Sequence, residues 1–131
     1  MTNFFFKNKY IFYISNIVLI ILYLSPCSIL GYILNKDCRL QPQITQDFIV
    51  STNHLYAFVI FSIIGYLTFN KSSQFIFLTF YLICLSLMLE ILHYFIPERS
   101  FEISDLFGNF IGVIIMTIIV YFFKKNENIK N

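Results

Sequence analysis

Glu90-Ile-Leu-His93-Tyr-Phe-Ile-Pro97-Glu98-Arg99-Ser-Phe-Glu102-Ile-Ser-Asp105-Leu-Phe-Gly108-Asn109-Phe-Ile-Gly112 is the stretch that decides the fold. Apolar runs flank it on both sides. Pro97 fixes its own φ and has no N–H to donate, so it sets a turn between two helices. Glu90 and His93 are three apart and share a face of the first helix. Asp105, Gly108, Asn109 and Gly112 fall at i, i+3, i+4 and i+7, one stripe of the second. The stretch therefore predicts a helical hairpin that brings two polar stripes together inside an oily chain.

Composition says what medium surrounds that hairpin. The chain has 131 residues, 58% hydrophobic and 12% charged, where a soluble domain carries roughly 25% charged residues. Apolar runs approach the ~20 residues that cross a bilayer. Spans are expected at about 10–27, 52–69, 74–96 and 103–123. The expected fold is all-α, a single domain over 1–131 with four transmembrane helices in a compact bundle. A net charge of +2 is too small to suggest a nucleic-acid partner. The basic start and short first core resemble a signal peptide, but the first span is read as retained.

Lysine and arginine set the expected orientation. Lys7, Lys9, Lys71, Lys124, Lys125 and Lys130 fall on one side of a four-span chain, and Lys36, Arg39 and Arg99 on the other. The positive-inside rule then places both termini in the cytoplasm. His54, Glu90, His93, Arg99, Asp105 and Asn109 all come to lie toward the outer face.

The order and spacing of Glu90, Arg99, Asp105, Asn109 and Gly112 resemble the VanZ-like family, small membrane proteins named for teicoplanin resistance. The resemblance covers roughly the last two thirds of the chain. It implies a bacterial plasma-membrane protein of the cell envelope, linked to antibiotic resistance, and supplies no reaction. The family usually has Gln where this chain has His93. It also has Asp four residues before the position of His54, where this chain has Val50.

Glu90 is the sharpest candidate. A carboxylate near a membrane core costs a few kcal/mol and is normally paired. It reads either as a general acid or base, with His93 beside it, or as a structural partner of Arg99 or Asn109. One connected cluster of Glu90, Arg99, Asp105 and Asn109 is expected, with the Arg99 fork between the two acids. No metal and no cofactor are expected, because a di-iron bundle needs a second Glu-x-x-His and two further glutamates. A site using His54, His93, Glu90 and Asp105 is the alternative. Catalysis by a serine nucleophile lacks its motif.

Small residues mark expected helix contacts. His54, Ala57, Phe61, Gly65 and Thr68 form one face of the second span. Gly108 and Gly112 should let the fourth span approach the third, the alternative being a homodimer through that face. Cys27 and Cys38 read as free thiols, or as a disulfide if their segment meets an oxidising compartment.

Two functions remain open. One is an outer-face polar pocket that binds a membrane lipid, an amphiphilic envelope ligand or a partner, with Arg99 on an anionic group. The other is a small intramembrane enzyme acting on a lipid-linked or cell-wall intermediate, with Glu90 as base.

Overall fold

A computed structural model describes residues 9–69 and 71–130. Five helices follow in order: α1 (Lys9–Leu24), α2 (Ile29–Asn35), α3 (Thr52–Thr68), α4 (Ser72–His93) and α5 (Ile103–Lys130). No strand occurs among the described residues. Lys7, read above from the sequence, lies outside them, as does Asn70.

Two helical stretches are long and apolar enough to cross a membrane, Ser73–His93 and Ile103–Asn126. The count becomes three if α1 and α2, bent by 78°, form one broken span. Four spans of full length were expected, and the first two are shorter than that. α1 stops at Leu24 ahead of Ser25-Pro26, where proline has no N–H for the helix ladder. α3 is apolar but has 17 residues, about 26 Å of helix.

The fourth helix turns on the expected proline. α4 ends at His93. Tyr94, Phe95 and Ile96 then donate to the carbonyls three residues back, a tightened final turn. Pro97 pushes Ile96 out of helical geometry, and Glu98 takes a left-handed φ of 65°. Ser104 is of a residue type that caps helices. It lies one residue inside the helix instead.

α5 packs most extensively on α3, and less on α4. The glycines show why. A Cβ on Gly108 would stand 2.5 Å from the Ser51 carbonyl oxygen, and one on Gly112 would stand 2.7 Å from that of Leu55. The expected glycine contact is therefore real in kind but made with the second apolar segment, not the third. Gly65 faces Phe12 of α1 and Leu78 of α4. Phe12, Phe58, Phe61, Leu78, Leu82, Leu89 and Val113 fill the space between these helices.

The segment after α1 folds back on itself. Ser28 accepts from the Gly31 N–H and opens α2. Cys27 and Cys38 are joined by a disulfide, so the thiol reading gives way to the bridged one. Gly31 has no room for a side chain because the Leu40 carbonyl lies against it. Asp47 then caps α3 by accepting from the Thr52 N–H and hydroxyl.

Candidate functional site

The end of α1 creates the first requirement of the site. A helix leaves its last four carbonyls without intrahelical donors. Leu22 would find its donor at position 26, which is proline. Two cationic-type side chains fill the gap. Arg99 donates from Nη2 to the Leu22 carbonyl at 3.4 Å and from Nε to that of Ser25 at 3.0 Å. His93 donates from Nε2 to the Tyr23 carbonyl at 2.9 Å. Positive groups suit the negative end of a helix dipole.

Arg99 is thus drawn away from the role expected of it. Among the described residues it makes no ion pair with an acid; the close contacts near it join histidines to carboxylates, which are ion pairs only when the imidazoles are protonated. The Leu22 and Ser25 carbonyls compete for the guanidinium, and the acids find the imidazoles closer. Burial lowers the Arg99 pKa from its ordinary value, while Glu90 and Asp105 oppose that drop.

Glu90 sits at the centre, fully buried on α4. Its Oε1 accepts from the Glu102 N–H at 3.1 Å, which anchors the chain just before α5. Its Oε2 has no hydrogen bond of good angle. The nearest nitrogens are His93 Nδ1 at 3.2 Å and His54 Nδ1 at 3.8 Å.

Asn109 joins the helices to one another. Its Nδ2 donates to the Ser86 carbonyl of α4 at 3.3 Å. That fixes the amide orientation, leaving Oδ1 to accept. Oδ1 takes the Tyr23 hydroxyl of α1 at 2.6 Å and His54 Nδ1 of α3 at 3.1 Å. The other His54 nitrogen, Nε2, lies 3.3 Å from Asp105 Oδ2. His54 therefore finds an acidic partner after all, supplied by α5 rather than by the position of Val50.

Five of the six expected polar residues, His54, Glu90, His93, Asp105 and Asn109, contact one another, while Arg99 is held on the α1 carbonyls; Gly108 and Gly112 permit this by seating α5 against α3. Tyr23 and the Ser86 carbonyl were not foreseen as members. Tyr23 resembles any aromatic of an apolar run until α5 is known to approach it.

Three cavities meet at this cluster. The first, of 160 Å³, is walled by Leu19, Leu22, Ile29, Leu30 and Ala57, with Tyr23, His54, His93 and Arg99 at its polar end. The second, of 330 Å³, is polar and includes Arg39, Ser51, His93, Arg99 and Asp105. The third, of 430 Å³, lies beside the disulfide and shares Arg39 and Arg99 with the second. Arg99 and Gln41 line all three.

A sequence model of the family described as VanZ/LLP1 matches residues 4–124. No curated protein and no solved structure matches the chain.

Proposed function

The chain belongs to the VanZ-like family, and from that premise we propose that it is an integral membrane protein binding an amphiphile with an anionic head group around Arg99. The observation that carries this reading is that Arg99 stands where an apolar cavity meets two further cavities, one of them polar. Apolar walls suit a hydrocarbon chain and the polar side suits a head group. Two of the five guanidinium N–H donors go to the Ser25 and Leu22 carbonyls. The rest are available to a phosphate or carboxylate, which a planar fork binds bidentately.

In this reading the helices form a four-span bundle, with α1 and α3 completing the set begun by α4 and α5. Both termini face the cytoplasm of a bacterium, as the lysine distribution favours. The Cys27–Cys38 disulfide supports an oxidising compartment for the segment that roofs the cavities. Amphiphile binding at the outer face of the plasma membrane would connect the chain to the resistance for which its family is named.

An enzyme with Glu90 as base draws less support. Glu90 is fully buried and lines none of the three cavities. The acids that border the polar cavity are Asp47, Glu98, Glu102 and Asp105. Mass spectrometry of lipid retained by the detergent-purified protein tests the binding reading. Enrichment of anionic lipid on the wild type, lost on Arg99→Ala, supports it. The same lipid profile on both proteins contradicts it.

A further inference from the structure

We propose that His54, Glu90 and Asp105 form a binding site for a divalent cation of the zinc class. The three residues come from α3, α4 and α5, and each offers a ligand atom within 4.8 Å of the others. Proximity alone would not carry the inference. The placement of the protons does.

His54 is the first case. Asn109 Oδ1 can only accept, because Nδ2 is committed to the Ser86 carbonyl. His54 Nδ1 must then carry the hydrogen of the 3.1 Å bond. In the neutral ring, Nε2 is left with a lone pair, and that lone pair meets Asp105 Oδ2 at 3.3 Å. In that state two acceptors face each other with no hydrogen between them.

Glu90 is the second case. Its Oε2 is buried and has no hydrogen-bond partner. His93 Nδ1 stands 3.2 Å away, but in the neutral ring the His93 hydrogen belongs to Nε2, which donates to the Tyr23 carbonyl. His54 Nδ1, at 3.8 Å, has already given its hydrogen to Asn109. An orphaned carboxylate oxygen in a buried place needs either a proton or a cation, and a cation would displace the proton.

A cation answers both cases at once. Zinc binds His nitrogen and carboxylate oxygen at about 2.0–2.2 Å in tetrahedral geometry, which sets its ligands about 3.3 Å apart. The His54–Asp105 pair already has that separation, 3.3 Å, while the full set lies within 4.8 Å, so Glu90 would close on the ion as it binds. An N–H···O bond more often measures about 2.9–3.0 Å. The His54 Nδ1–H bond to an amide oxygen is also the outer-shell contact that orients a metal-bound imidazole. Three protein ligands leave an open position, and Asp105 borders the polar cavity through which an ion could enter.

The expectation of no metal rested on the missing second Glu-x-x-His and further glutamates of a di-iron bundle. This set needs neither. His54 and Asp105 lie far apart in the chain, so no short motif records the site. The inference stands apart from amphiphile binding, since none of its three ligands is Arg99.

The test uses the full chain, purified in detergent and stripped with a chelator. Zn²⁺ is titrated by calorimetry in two buffers of different ionisation enthalpy, and Co²⁺ by visible absorption. The expected result is about one ion per chain, with proton release and the intense bands of four-coordinate Co²⁺. Asp105→Asn and His54→Gln should each weaken binding by about tenfold or more, with helicity checked by circular dichroism. Should a variant fail to fold, the Co²⁺ spectrum of the wild type decides alone. Weak six-coordinate bands, no stoichiometric uptake, or uptake indifferent to both substitutions would overturn the proposal. Protons shared within the His–carboxylate pairs would then account for the cluster. The titration contains no added lipid, so its failure leaves the amphiphile reading standing.

Discussion

The Tyr23 hydroxyl donates to Asn109 Oδ1 at 2.6 Å, tying the end of α1 to the first turns of α5. The same oxygen takes His54 Nδ1, and the same amide donates to the Ser86 carbonyl. One buried side chain therefore links four helices. Without it the Tyr23 hydroxyl and His54 Nδ1 would each lose a hydrogen-bond partner.

Asn109→Leu should accordingly destabilise the protein by about 1–3 kcal/mol, the cost of leaving buried polar groups without partners. Asn109→Asp should do at least as much harm, because it loses the donor to Ser86 and adds an acid beside Glu90 and Asp105. Thermal unfolding in detergent measures both. A Leu variant as stable as the wild type would mean the network holds nothing together.

The glycines should separate by what faces them. Gly108→Ala sets its Cβ against backbone, the Ser51 carbonyl oxygen at 2.5 Å. Gly65→Ala meets side chains, Phe12 at 3.2 Å and Leu78 at 3.4 Å. Backbone cannot step aside as a ring can, so Gly108→Ala should cost about 1–3 kcal/mol and Gly65→Ala less. Equal effects in an unfolding assay would contradict the close α3–α5 approach.

Much of this site is legible in the sequence, for physical reasons that can be named. Pro97 ends one helix whatever surrounds it, and Asp105 to Gly112 repeats at helical spacing, so the hairpin and its polar stripes follow from local rules. Glu90, His93 and Asn109 are conspicuous because polar groups are costly in an apolar run. Partner choice is another matter. Arg99 was expected between two acids on the strength of opposite charge. Its actual partners are carbonyls exposed by Pro26, seventy-odd positions earlier. His54 meets Asp105 only because two glycines let α5 lie against α3. A GxxxG spacing says that something comes close, and it does not say which helix.

The disulfide predicts a thiol count. Of the three cysteines, Cys84 alone is free. Maleimide labelling of denatured, unreduced protein should modify one cysteine per chain, and labelling after reduction three. Cys27→Ser should lower stability by about 2–4 kcal/mol. Three labelled thiols without reductant, in protein made through its normal export route, would remove the bridge.

Topology follows from the lysines. A reporter active only outside the cytoplasm should be silent when fused after Asn131 and active when inserted near Gln43. The reverse pattern would put the cavities on the cytoplasmic face and detach them from any envelope ligand.

The most direct measurement compares two amphiphiles with the same hydrocarbon tails, one bearing a phosphate and one uncharged, by equilibrium binding to the detergent-purified protein. Hydrogen bonds to a charged group contribute about 1.5–3 kcal/mol, so Arg99→Ala should weaken the phosphate-bearing ligand by about tenfold or more and leave the neutral one nearly unchanged. Arg99→Lys should recover part of the loss, since it restores charge without the fork. Glu90→Gln should preserve the preference in whatever fraction folds. If wild type and Arg99→Ala bind the two amphiphiles with the same ratio of affinities, Arg99 is only a cap on α1 and the binding account is wrong.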